Sequence, residues 1–450
     1  MLKITAPHNN LEERNYIISI IFKDFLGLDF QTEFSDQYCA YNIILTNNNK
    51  LVIKDHFFNN FKQSLDYLKY NNIPTVIKWA GNSFTANRHI PVIYGTDVLQ
   101  KSKDKILCGI DIFACCFFML TRWEEYVNKN RDDHNRFPAT ASTAFKQGFL
   151  DRPVVNEYIQ MLKKMLLFLD DTLNFNKLRQ RLYLTHDIDQ LKFWRSYRQF
   201  IRIVGGDLLK RKSPATAIKN SYSFIGSKLG LVSDPYNTFD YLMRISEKAG
   251  LQSRFYFMSG GTSPDKDNRY RIDHSLSLQL IQKIKKRGHL FGLHGSYNSY
   301  TDPEQLKYEK NKLESLLQQE ITAGRQHYLR FTVPATWQTA NEAGLKLDST
   351  CGYADKPGFR CGTGREFFVF NILTRKKLNL KEKPLIVMDC SLFEYNTAAN
   401  RETTDYLTRL YQRADALVFL WHNSYIKKMN LYEKIIKKYT DEKNNFNSIE

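Results

Sequence analysis

The sequence predicts an α/β protein in two parts. A smaller mixed α+β domain spans residues 1–178, and a distorted (β/α) barrel of about seven parallel strands spans residues 179–450. Three observations predict this. Beyond about Leu182, short apolar strand-like runs alternate with helical patterns, the signature of parallel βα units. A Gly follows a basic last turn in KKRGH and SEKAG, which is helix-stop chemistry. Polar residues recur at the C-terminal ends of the strand-like runs, the face on which βα barrels build their sites.

In chain order, Tyr16 to Phe30 is apolar at helical spacing, and YNIILTNNNKLVI reads as strand, Asn-rich turn, strand. IPTVIKW and IPVIY are short strand-like runs. DIFACCFFMLTRWEEYV reads as a largely buried helix and PVVNEYIQMLKKMLLFL as an amphipathic one. The run NRDDHNRF is a solvated loop or a rim contact. In the second part the expected strands are RLYLT, SRFYFM, HLFGLH, HYLRF, LDST, PLIVMD and DALVFLWH.

The 450 residues leave room for two or three cored domains, and 42% hydrophobic with 25% charged residues is ordinary for a globular chain. Seven cysteines, with Cys115 and Cys116 adjacent and no paired CxxC spacing, form neither a disulfide framework nor a zinc ribbon. MLKITAPHNNLEERNY lacks an apolar h-region, and the longest apolar run, Phe113 to Leu120, is far short of the ~20 residues of a membrane span. The expectation is a reduced, cytoplasmic protein. The net charge of +18 suits an anionic partner. A nucleic-acid role has little beyond that charge in its support.

The chemistry gathers at the expected strand ends: Asp187 and Asp189 in THDID, His294 and Asn298 in HGSYN, then Arg330, Asp348, Asp389 and His422. Taken singly each has a bland explanation. A lone His after a strand is usually packed or at the surface, and Asp is a good turn former. Their recurrence at successive strand ends favours a shared site. Residues i and i+2 of a strand share a face, so Asp187 and Asp189 point the same way. One carboxylate binding a cation while the other does acid–base work accounts for such a pair.

These residues carry a resemblance. The region from about 180 to 450 resembles the polysaccharide deacetylases, the NodB-homology group of carbohydrate esterases. THDID looks like their first motif, HGSYN their second, LRFTVP the arginine motif, LDSTCGYADKPGFRCGT the fourth region and LWH the fifth. The RWEEY, DDHNRFPATASTAF and GFLDRPVVNEY text resembles an accessory domain found in bacterial surface-polysaccharide loci. The resemblance implies a metal-dependent hydrolase that removes the N-acetyl group from a nucleotide- or lipid-linked acetamido sugar during cell-surface polysaccharide assembly. It implies Asp187 as base and a divalent cation, Zn2+ by the family's habit, on Asp189, His294 and Asn298. His422 protonates the leaving nitrogen, Asp348 or Asp389 orients its ring, and Arg330 helps keep Asp187 ionised. Two departures stand out: the spaced Asp-Ile-Asp pair, and Asn298 where a second His is expected, which makes His186 an alternative donor. The rivals are a hydrolase of a non-sugar amide or cyclic imide on the same fold, and a catalytically silent protein that binds glycan or membrane.

Between the first strand and the next helix lies an insertion, 190–230, with nine basic residues against one acid, Asp207. On a helical wheel Trp194, Tyr197, Ile201, Val204 and Leu208 form one stripe, with Arg195, Arg198 and Arg202 opposite. Two readings follow: a helix packed on the barrel with a solvated basic face, or an interfacial helix on anionic lipid at the inner membrane face.

Overall fold

The computed structural model describes every residue except 87, 88, 177–179, 268, 394–400 and 448–450. The expected boundary between 178 and 179 therefore lies outside the described residues. The chain forms two compact units: Met1–Leu182, Ser299–Lys307 and Thr322–Phe419 make the first, and Tyr183–Asn298, Tyr308–Ile321 and Leu420–Glu450 the second.

In the first unit the strands β1 (Leu2–Ala6), β2 (Phe30–Phe34), β3 (Ala40–Ile44), β4 (Lys50–Lys54), β5 (Lys78–Ala80), β6 (Ile90–Val92), β7 (Gly95–Lys101) and β8 (Lys105–Ile110) come first. Six form a mixed sheet in the order β2-β1-β3-β4-β8-β7, and β5 pairs with β6. The Asn-rich turn joins β3 and β4 as an antiparallel hairpin. The helix Ile112–Thr121 is buried along its whole length, which is why FACCFFML carries no polar face. Asp111 starts it by accepting the Ala114 N–H at 3.0 Å.

RWEEY carries a buried ion network. Glu125 accepts from Arg360 at 2.5 and 2.9 Å and from Arg122 at 2.9 Å. Burial alone would raise the Glu125 pKa, but Arg360 and Arg122 hold it below the usual carboxylate range.

The second unit holds a run of parallel strands, β9 (Arg181–Ile188), β10 (Ser253–Phe257) and β11 (Leu290–Gly295), with β10 in the middle. The helices Phe239–Lys248 and Ser275–Lys286 lead into β10 and β11. Each is followed by a glycine in the left-handed region, Gly250 (φ 65°) and Gly288 (φ 73°), as SEKAG and KKRGH predict. Leu184, Ile188, Phe255, Phe257, Phe291 and Leu293 are buried and form the apolar body of this run.

The remaining strands return to the first unit: β12 (Ala323–Gln326), β13 (Leu347–Asp348), β14 (Phe367–Asn371), β15 (Lys376–Glu382), β16 (Leu385–Met388) and β17 (Ala416–Leu420). β13 pairs in parallel with β12 and β15, while β14 runs antiparallel to β15. Two expectations need correction. HYLRF is not a strand: β12 ends at Gln326, and His327–Leu329 is a 3-10 turn in which Tyr328 and Leu329 have φ of 60° and 54°. Arg330 thus follows a turn, not a strand. The antiparallel β14–β15 pair also goes beyond the seven expected strands.

Candidate functional site

Strand β9 delivers Asp187 inside its last turn of pleat and Asp189 one residue past its end. β11 delivers His294. The His294 Nε2 lies 3.3 Å from Asp189 Oδ1 and 4.0 Å from Asp187 Oδ2. His422 Nε2 lies 3.9 Å from Asp189 Oδ2. Two carboxylates and two imidazoles thus converge within the second unit.

His422 is placed by its neighbour. Trp421 donates its N–H to the Thr185 carbonyl at 3.0 Å, extending the chain alongside β9. The Trp421 carbonyl is 2.7 Å from His186 Nδ1, and His186 Nε2 is 3.1 Å from the Ser253 hydroxyl. A carbonyl only accepts, so Nδ1 carries the proton and Nε2 accepts from Ser253. Both ring nitrogens of this fully buried histidine are committed. His186 therefore clamps two strands together and is not placed to offer a lone pair to a cation. Asn423 completes the clamp by donating to the Gln190 and Tyr236 carbonyls at 2.8 and 2.9 Å.

The turn after His294 is held by two buried carboxylates that sequence reasoning passed over. Glu309 accepts the Ser296 N–H and Asp267 the Tyr297 N–H, each at 3.0 Å. The loop after β10 closes on them: a Cβ at Gly261, where φ is 152°, would come within 2.4 Å of the Asp267 Cβ. Glu309 had a signal. It sits four residues before Leu313 and eight before Leu317, on the apolar stripe of the Pro303–Leu317 helix. Asn298 lies on the same turn, exposed, with its amide donating to the Thr262 hydroxyl at 3.2 Å.

The other expected residues lie in the first unit. Arg330 donates to the His134 carbonyl and the Tyr300 hydroxyl, each at 3.0 Å, and its guanidinium stands 4.0 Å over the Tyr300 ring. The NRDDHNRF loop thus serves as a contact for this arginine, and Arg136 in it donates to the Tyr328 carbonyl at 2.9 Å. Asp348 pairs in register with Glu382 and accepts from the Thr350 hydroxyl at 2.7 Å. Burial, then the neighbouring Asp348, pushes the Glu382 pKa well above its usual range, and burial raises Asp348 as well. Asp389 is buried at the start of the Asp389–Phe393 helix.

The donor set fits a divalent cation. Donors held about 2.0–2.2 Å from a tetrahedral ion stand roughly 3.4 Å apart. Asp189 Oδ1 and His294 Nε2, at 3.3 Å, have that spacing.

Residues 2–170 match a family described as a family of unknown function, DUF7033. No curated protein matches the chain. Among solved structures, the chain is similar to a polysaccharide deacetylase from Bacillus cereus, at 10% identity, covering 59% of this chain and 89% of that one, with a TM-score of 0.31. It is similar to the catalytic domain of a peptidoglycan N-acetylglucosamine deacetylase from Eubacterium rectale at 14% identity, 59% and 87% coverage and a TM-score of 0.29. It is also similar to a CE4 family pseudoenzyme from Bacillus anthracis at 9% identity, 59% and 62% coverage and a TM-score of 0.32.

Proposed function

We propose that the chain is a metal-dependent amide hydrolase that removes the N-acetyl group from an acetamido sugar in cell-surface polysaccharide assembly, on a distorted (β/α) barrel. The observation that supports it is the convergence of Asp187, Asp189, His294 and His422 within the second unit. Asp189 and His294 would hold the cation, with the Asn298 side-chain oxygen as the proposed third donor. A divalent cation bound there polarises the amide carbonyl and acidifies water.

The chain's own residues supply the rest. Asp187 takes a proton from the attacking water as its oxygen bonds to the carbonyl carbon. His422 gives a proton to the nitrogen as the carbon–nitrogen bond breaks, releasing acetate and the free amine. Trp421, His186 and Asn423 hold His422 in reach, and Glu309 with Asp267 does the same for the turn after His294. Arg330 and one of Asp348 and Asp389 are the proposed supports of Asp187 and His422.

The deciding experiment is acetate release from a panel of nucleotide-linked and lipid-linked acetamido sugars, before and after chelation and with zinc restored. Release that stops on chelation and returns with metal is expected. Release that ignores the chelator would remove the metal from the reading. A folded protein that binds no divalent ion and releases no acetate would leave a binding protein instead.

A further inference from the structure

The insertion folds as two helices, Tyr197–Leu209 and Pro214–Lys228, packed on each other within the second unit. Their inner faces pack on aromatic rings. Phe200 stacks on Phe224 with centroids 4.2 Å apart, and Trp194 meets Phe224 edge-on at 5.4 Å. Asp207, buried at the turn, accepts from Arg211 at 2.6 Å and Asn220 at 2.7 Å. The hairpin therefore needs nothing further to bury its inner stripe.

Its outer faces are apolar as well. Tyr197, Ile201 and Leu208 recur at helical spacing on the first helix, and Ile218, Tyr222, Ile225 and Leu229 do so on the second. Every one is exposed, with Leu208 the least at 49% and Ile218 the most at 71%. Tyr197 touches the Phe224 ring edge-on at 5.2 Å, and the others are exposed among the described residues. Exposed apolar residues usually stand singly, so two such stripes on one hairpin mark a docking face. Of the stripe expected from the sequence, Trp194 is buried, Val204 is half-buried, and Tyr197, Ile201 and Leu208 are exposed. The charge around it is one-sided. All nine basic residues of the insertion are exposed, and the single acid is the buried, ion-paired Asp207. Arg195, Arg198 and Arg202 line one shallow depression together with Ser196 and Gln199.

We propose that this hairpin docks on an anionic lipid bilayer, lying in the interface with its apolar stripes among the upper acyl chains and its arginines on the phosphates. Charge complementarity selects this occupant. A second copy of the chain in an isologous contact would set the same nine cations against themselves. A bilayer rich in anionic lipid offers apolar depth under a negative surface, the combination that the two faces require. No helix among the described residues is long and apolar enough to cross a membrane, so the contact is in-plane. The proposal is independent of the hydrolase reading.

The test is co-flotation of the full chain with phosphatidylcholine vesicles, with and without phosphatidylglycerol. Binding to the anionic vesicles that weakens with salt is expected. The Arg195→Glu, Arg198→Glu, Arg202→Glu variant should lose on the order of a hundredfold in binding, since each cation near the surface contributes about fivefold. An Ile201→Ser, Ile218→Ser, Leu229→Ser variant should lose binding too, with an unchanged circular dichroism spectrum because these side chains face solvent. A wild type that ignores anionic vesicles overturns the proposal. So does an apolar variant that binds normally, or one that merely converts a dimer to a monomer.

Discussion

His294 Nε2 stands 3.3 Å from Asp189 but 4.0 Å from Asp187, so the two carboxylates of THDID are not equivalent. In the proposed reading the nearer shares a cation with the imidazole and the farther handles a proton. Their removal should fail differently. Asp189→Ala should lose metal and acetate release together, with partial recovery at high metal. Asp187→Asn should keep its metal while turnover falls by roughly 10²–10⁴. Elemental analysis beside acetate release decides it, and full activity in Asp187→Asn would exclude Asp187 as the base.

Catalytic zinc sites use three protein donors. Imidazole is a better donor than an amide oxygen, so Asn298→His should tighten metal binding if this position faces the ion. Titration with a chromophoric chelator measures it. An unchanged affinity in Asn298→His would place this side chain outside the donor set.

HYLRF reads as strand because it is aromatic and apolar, yet it is a turn. The strand is Ala323–Gln326, whose buried Arg325 and Gln326 break every hydropathy pattern. They are tolerated because Arg325 donates to the Ser349 carbonyl at 2.9 Å and the Gln326 Oε1 accepts from the Ser299 hydroxyl at 3.1 Å. Those partners lie 24 and 27 residues away, where no local pattern reaches. THDID and LWH stand out in the sequence for the opposite reason, since each closes an apolar run with titratable residues. Glu309 stands out less: it lies on the apolar stripe of its helix, but a charge in a helix is normally read as solvated.

Glu309 should matter more than an ordinary helix glutamate. Glu309→Leu leaves the buried Ser296 N–H without its acceptor, which costs about 1–3 kcal/mol. The melting temperature should fall, and metal affinity should fall with it, because Ser296 is two residues beyond His294. A variant that melts lower but binds metal normally would show that the turn does not position the histidine.

The Asp348–Glu382 pair predicts a pH dependence of stability. Glu382 is held protonated in the fold well above its usual range, first by burial and then by Asp348. Below about pH 4.5 both folded and unfolded chains keep the proton, and the pair's contribution is fully present. As pH rises the unfolded chain releases the proton first, so that contribution is lost progressively up to the folded pKa. Glu382→Gln cannot titrate. Its melting temperature relative to wild type should therefore climb as pH increases. A gap that is flat with pH would mean that the pair carries no raised pKa.

His422 is assigned the proton for the leaving nitrogen, and its position depends on a residue that never meets the substrate. His186 binds the Trp421 carbonyl through Nδ1, and Trp421 in turn holds β9 through Thr185. A general acid must be protonated to act, so rate should fall as pH rises through the titration of His422. His422→Gln should lower turnover by roughly 10²–10⁴ and abolish that alkaline fall, with metal content unchanged. His186→Phe should keep the alkaline fall, because His422 is still present, while lowering turnover by misplacing it. The pH–rate profiles of the two variants separate acid from support. If His422→Gln keeps the alkaline fall, another group delivers the proton, and the convergence of His422 on Asp189 serves binding rather than acid catalysis.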